Sequence, residues 1–273
     1  LWSIGLLLMS LGFYVVVMLD EAEVKQAHLY VWDVGQGASA WLVLPNFNLV
    51  IDAPGKKGSK FNGGTIAAHN IRHKGLLHVD ALLVSHAQSD HAGGIKRLIA
   101  SLNGVGELWL ADVPKNHVYF AEVVKEIPVR WLKKGDSFDI KGEAHVKVLW
   151  PPQNYAPRNN NNTSLVLQIT LATGQKLLFA GDMEAQVERA ILHDIQPVDV
   201  MLMPHHGSKT SSTAAFVQKV QPNIVIAQTG YKNHYGFPKD EVVKRYQHVG
   251  ATIINTADGA VSIVFEDDKI SLK

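Results

Sequence analysis

The chain has 273 residues, of which 47% are hydrophobic and 19% charged, with a formal net charge of +1 at pH 7. That composition supplies ample apolar material for a buried core and excludes intrinsic disorder; the near-neutral balance excludes a polycation that grips nucleic acid through its whole-molecule field, so such contacts have to come from local patches. Cysteine is absent, which removes disulfides and thiolate metal ligands.

Leu1 to Leu19 carry no charged side chain. A helix of that length covers about 30 Å, a bilayer core. Residues 1–19 are therefore expected to form a transmembrane helix, residues 20–27 a linker and residues 28–273 a single α/β domain. A buried core helix is the alternative, disfavoured because the run has no polar face. No Lys or Arg precedes Lys25, which argues against a secretory signal, and the visible flank carries no Lys/Arg bias that would set a topology.

Strand-like runs follow at 29–34, 38–44 and 48–51, predicting an antiparallel start. Helix-like runs near 65–72, 95–101, 118–126, 185–192, 213–220 and 239–247 then alternate with apolar strands near 81–84, 107–110, 146–149, 164–171, 176–179, 200–203, 223–227 and 252–254. That alternation predicts sheets covered by helices. No internal repeat is evident, and the asparagine run 159–162 reads as a polar loop.

Three of the apolar runs end in metal-ligating residue types. Val79 to Val84 leads into Ser85-His86-Ala87-Gln88-Ser89-Asp90-His91-Ala92-Gly93-Gly94, Lys176 to Ala180 into Gly181-Asp182-Met183-Glu184, and Asp199 to Met203 into Pro204-His205-His206-Gly207-Ser208. A buried strand that ends in imidazoles and carboxylates delivers them to the rim of a sheet, where solvent and substrate reach them. One such cluster is commonly a packed histidine; three together suggest a metallohydrolase.

In this order, and with Asp33-Val34-Gly35-Gln36-Gly37 before them and Asn162-Thr163-Ser164-Leu165-Val166-Leu167 between, these motifs resemble the metallo-β-lactamase-like domain at the C-terminal end of ComEC-type competence proteins, inner-membrane channels for transforming DNA. The resemblance covers roughly Leu29 to Phe265. It implies an αββα sandwich and places residues 1–19 at the end of a channel region in the bacterial inner membrane, with the domain on the periplasmic side. It also implies a metal-dependent nuclease that degrades the strand of incoming DNA that is not transported. The expected partners are DNA and the membrane, and the expected cofactor is one or two divalent ions, Mn or Zn, with no organic cofactor.

The family's His-x-His-x-Asp-His motif falls on His86, Gln88, Asp90 and His91, with glutamine in place of the second histidine. Asn162 stands where the superfamily commonly carries another histidine. One metal position thus keeps His86 and the shared Asp182, with amide oxygens of Gln88 and Asn162 as weak ligands suited to hard ions. The other is expected to gather Asp90, His91, Asp182 and one of His205 or His206. His205 is favoured as the ligand because it is nearest the strand end, leaving His206 either to support a ligand from behind or to face phosphate. Asp90 and His206 then act in catalysis, with Lys209 as a protein cation beside the transition state. Asp33 is expected to orient a ligand histidine. Phe237 replaces the histidine of the family's Tyr-Gly-His-Pro element, and His234 is the nearby substitute.

Between Pro54 and Gly75 lie Lys56, Lys57, Lys60, Arg72 and Lys74 with no acidic residue, a patch expected to track a DNA backbone; Lys56, Lys57, Lys60 and Arg72 are the DNA-binding candidates. Two other readings stay open: a metal-depleted, non-catalytic module that grips DNA or holds the fold, and a phosphodiesterase for small phosphoesters. A β-lactam hydrolase is disfavoured, because the Asp182 and His205 motifs resemble the phosphodiesterase branch.

Overall fold

The computed structural model describes residues 26–56, 62–267 and 269–273. The transmembrane helix expected at 1–19 and nearly all of the expected linker lie outside them, and no helix among the described residues is long and apolar enough to cross a membrane.

The chain opens as an antiparallel meander of β1 (Ala27–Val31), β2 (Ala40–Leu44) and β3 (Phe47–Ile51). Helix α1 (Gly63–His73) then leads to β4 (His78–Val84), which pairs parallel to β3. Short helices α2 (Ser89–Ala92) and α3 (Ile95–Ser101) precede β5 (Gly104–Ala111), and α4 (Pro114–Tyr119) precedes β6 (Val129–Leu132). A second sheet starts with β7 (Ser137–Ile140), β8 (Ala144–Trp150), β9 (Val166–Leu171) and β10 (Lys176–Phe179), all antiparallel. It continues in parallel through α5 (Ala185–Ile191), β11 (Val200–Leu202), α6 (Ala214–Val220), β12 (Ile224–Ala227), α7 (Asp240–His248) and β13 (Thr252–Asn255). The chain then returns to the first sheet with β14 (Val261–Glu266) and β15 (Lys269–Leu272).

The strand orders are β15-β14-β1-β2-β3-β4-β5-β6 and β13-β12-β11-β10-β9-β8-β7. Leu42, Leu83 and Trp109 of the first sheet and Val146, Leu167, Leu177 and Ile226 of the second share the core between the sheets. Outside the first sheet, Ala68, Ile71 and Leu98 cover Val50, Leu82 and Leu108; outside the second, Val187, Phe216, Val242 and Tyr246 cover Leu178, Met201 and Val225. In β4, Ala81 and Leu83 face the partner sheet while Leu82 and Val84 face the helices, so both faces are buried and residues 81–84 read as an unbroken apolar run. The result is the expected αββα arrangement. Because β3 runs parallel to β4, and β10 to β11, the carboxyl ends of each pair emerge at one edge of their sheet.

Candidate metal centre

Each of those four strand ends delivers a polar side chain. Asp52 follows β3, Ser85 and His86 follow β4 with Asp90 and His91 on α2, Asp182 follows β10, and His205 and His206 follow β11. Asp52, His205 and His206 all adopt left-handed backbone, with φ of 59°, 50° and 55°. Such conformations cost a non-glycine residue about 1–3 kcal/mol and persist only where the surroundings impose them. Here His205 N donates to Gly181 O at 3.1 Å, and Ser211 Oγ donates to Pro204 O at 2.9 Å.

Asp90, His91, Asp182 and His206 each place one donor atom within 4.8 Å of the others. His91 Nε2 lies 3.0 Å from Asp182 Oδ1; His206 Nε2 lies 3.6 Å from the same oxygen and 3.8 Å from Asp90 Oδ2. Both rings are held from behind: His91 Nδ1 donates to Asp52 Oδ2 at 2.8 Å and His206 Nδ1 to Gln228 O at 2.7 Å. Those bonds aim each Nε2 into the cluster. The close approach of His91 to Asp182 is a charge contact rather than an aligned hydrogen bond, for the Nε2 atoms of His86, His91 and His206 are all buried without a hydrogen-bond partner. Buried nitrogens are normally satisfied, and three orphans at one place, beside two carboxylates, fit a divalent cation with N/O ligands.

Electrostatics agree. Burial disfavours a charged His91, but the carboxylates of Asp182 and then Asp52 override it and hold the ring well above its ordinary pKa. His206 is likewise raised, against burial, by Asp182 and Asp90. Burial would raise Asp182, yet His91 and His206 keep it well below the usual carboxylate range. Asp90 drops to about 2, its burial outweighed by His206 and His91. His86, desolvated and beside His91, falls to about 3.

The sequence-predicted residues divide in two. His86 sits next to the cluster, its ring centroid 4.3 Å from that of His91 and its Nδ1 3.1 Å from Ser85 Oγ. Of the two histidines of the Pro204 to Ser208 motif, it is His206 rather than the favoured His205 that enters the cluster, while His205 stands at its rim, with Nε2 3.8 Å from Asp182 Oδ2 and Nδ1 near Thr210 Oγ1 and Glu184 Oε1. Two consecutive left-handed residues turn the second ring inward. Asn162 is also turned away, its side-chain oxygen accepting from Glu184 N at 3.0 Å. Its neighbour Asn161 occupies the rim instead, accepting from Gln88 Nε2 at 2.7 Å and donating to His205 Nε2 at 3.3 Å. Asp33 is exposed and accepts from Gly35 N, a turn residue; the carboxylate that orients a cluster histidine is Asp52, which also accepts from Ser85 N and Ser85 Oγ at 2.7 and 2.8 Å.

A cleft of about 500 Å³ opens above Asp90, lined by Gln36, Lys56, Gln88, His234 and Tyr235 among others. Of the basic candidates, Lys56 faces this cleft, and Lys57 and Lys60 lie outside the described residues. Arg72 is in the last turn of α1, about 14 Å along the helix axis from the cleft-lining Gly63. Lys209 is exposed and lines neither cluster nor cleft. The sequence reading missed Asp52, Ser85, Asn161 and Glu184; Asp52 had a signal, being the carboxylate immediately after the apolar run of β3, as Asp182 follows that of β10.

Residues 48–251 match the family described as the beta-lactamase superfamily domain, and the chain belongs to it. Its relatives bear out the ComEC-type resemblance. They include Recombination protein 2 of Haemophilus influenzae, 27% identical over 88% of this chain and 29% of that protein, and ComE operon protein 3 of Bacillus subtilis, 28% identical over 82% of this chain and 31% of that protein. The chain therefore spans under a third of the length of these relatives. Solved structures that share the fold include the metallo-beta-lactamase fold protein YhfI of Bacillus subtilis, with a TM-score of 0.58 at 11% identity over 84% of this chain and 96% of that one. Another is the metallo hydrolase Igni18 of Ignicoccus hospitalis, with a TM-score of 0.57 at 13% identity over 88% of this chain and all of that one.

Proposed function

We propose that the chain is the metal-dependent phosphodiester hydrolase domain of a DNA-uptake protein, a nuclease that degrades the strand not transported, held at the bacterial inner membrane by residues 1–19 with the domain on the periplasmic side. The observation that carries this reading is the convergence of Asp90, His91, Asp182 and His206 with three unpartnered Nε2 atoms on one edge of the sandwich. The name of the Haemophilus influenzae relative, Recombination protein 2, supports DNA as the substrate.

A bound Mn²⁺ or Zn²⁺ would supply an activated water and neutralise phosphoryl oxygens. The chain's own contribution is preorganisation. Asp90 and Asp182 bring the negative charge that retains a cation, Asp52 and the Gln228 carbonyl fix the two imidazoles, and Lys56 in the cleft wall offers a contact for a backbone phosphate. The second reading, a metal-depleted module that grips DNA without cutting it, draws on the glutamine in the second-histidine position, Gln88, whose amide nitrogen is taken up by Asn161 Oδ1. Hydrolysis of single-stranded DNA and of a small chromogenic phosphodiester by the full chain, with Mn²⁺, Zn²⁺ or a chelator, separates the two. Metal-dependent cleavage of both substrates supports the enzyme; DNA binding without cleavage under every condition supports the module.

A further inference from the structure

The cleft above Asp90 is lined by aromatic rings that the metal chemistry does not use. Tyr235 is 49% exposed and His234 is exposed beside it. Their ring centroids lie 3.9 Å apart, and Tyr235 stacks on Phe237 at 5.4 Å with 15° between planes. Half-exposed aromatics occurring singly are ordinary surface features. Two of them, His234 and Tyr235, lining a cleft that reaches Asp90, with Phe237 stacked on Tyr235, are not.

The loop that presents them is tied to itself. Asn233 Oδ1 accepts from Phe237 N at 2.9 Å, and its Nδ2 donates to Phe237 O at 2.8 Å and Gly230 O at 3.2 Å. Lys239 Nζ donates to Tyr235 O at 2.6 Å and lies 5.5 Å above the Phe237 ring. Gly230 in turn abuts the Gly35-Gln36 turn, where a Cβ would meet Gln36 N at 2.9 Å, so the Asp33 to Gly37 motif braces this loop. The rings are thus held in place before any ligand arrives, which lowers the entropy lost on binding.

We propose that the His234–Tyr235 ring pair is a stacking platform for the base of an unpaired nucleotide whose phosphate lies towards Lys56 and the metal cluster; the proposal rests on the nucleic-acid substrate given above. Aromatic rings and a lysine lining one cleft match the two chemistries of a single strand, base faces and backbone phosphates. A paired base has both faces occupied by its neighbours in the helix and offers none to a side wall, so the platform selects unpaired nucleotides.

The test is fluorescence anisotropy with the full chain in chelator, where no cleavage occurs, comparing a short oligothymidylate with an abasic strand of equal length. The thymidylate is expected to bind about tenfold more tightly, Tyr235→Ala to bring the ratio close to one, and Tyr235→Phe to retain it. Because each ratio is taken on one protein, a loss of folded material does not imitate the result. Equal binding of the two strands by wild type, or an unchanged ratio in Tyr235→Ala, overturns the platform while metal-dependent hydrolysis still supports the nuclease reading. Failure of wild type to bind or cut either strand overturns both.

Discussion

Asp52 tests how the cluster is built. Its carboxylate accepts from Ser85 N, Ser85 Oγ and His91 Nδ1, all within 2.8 Å. Asparagine keeps the volume but has one acceptor oxygen, which stays with Ser85 N, and it turns an NH₂ towards Ser85 Oγ and His91 Nδ1. The hydroxyl can rotate and accept. The imidazole can accept only by moving its proton to Nε2, the atom that faces Asp182 Oδ1 at 3.0 Å and has to be free for a cation. Carboxylates that orient a ligand histidine are typically worth 10–100-fold in metal affinity, about 1.4–2.8 kcal/mol. A second effect has the opposite sign: Asp52 helps Asp182 raise the pKa of His91, and a proton there competes with the ion. In wild type, affinity should therefore climb as pH rises towards the raised pKa of His91, by up to about tenfold per pH unit for one displaced proton. Asp52→Asn should bind more weakly at alkaline pH and show a flatter pH slope. Calorimetric titration of Mn²⁺ into the metal-free chain at several pH values reads both quantities. Wild-type affinity and an unchanged slope in Asp52→Asn would refute the reasoning.

Glu188, buried under the turn that follows His206, accepts from Ser212 N and Thr213 N, so Glu188→Ala should cost about 3 kcal/mol and lower the melting temperature by roughly 6–12 °C. Burial raises the pKa of this carboxyl, so the folded chain holds its proton more tightly than the unfolded one; its contribution is fully present below the ordinary glutamate value and lost as pH rises through the raised one, a trend that Glu188→Ala should remove from melting curves. Gly207 has φ +83°, and a Cβ there would meet Pro238 Cβ at 2.4 Å; Gly207→Ala should destabilise by more than about 1 kcal/mol, read as a lowered melting temperature. Lys56→Ala should flatten the dependence of log affinity for single-stranded DNA on log salt by about 0.7, read by binding at graded ionic strength.

The strands that carry the site were legible because they are buried on both faces and end in ligand-type residues close in sequence, as Leu82 and Leu83 lead to His86. Of the strands that were missed, β14 is mostly buried and had a readable apolar run at Val261–Glu266, whereas the others carry weaker patterns. β6 and β7 are half-exposed, with burial alternating around Arg130 and Asp139, and β15 is a short edge. A helix was expected at 118–126, but Pro114 starts one earlier and only a single 3₁₀ turn follows at 123–125. Within the site, residue type was readable and orientation was not. His205 and His206 are adjacent, and two positive φ values decide which ring enters the cluster. Asn161 and Asn162 differ by one step of a 3₁₀ turn, and Asp33 and Asp52 both follow apolar runs, with only Asp52 reaching His91 across the sheet.

The central claim is that Asp90, His91, Asp182 and His206 hold a divalent ion. The most direct measurement is Mn²⁺ binding stoichiometry, by calorimetry and elemental analysis after dialysis, on wild type, Asp182→Ala, His206→Ala and His205→Ala, each checked for folding by circular dichroism. The account predicts that folded Asp182→Ala and His206→Ala lose the tightest ion while His205→Ala retains it. Retention of that ion in Asp182→Ala and His206→Ala, or its loss in His205→Ala alone, would contradict the account.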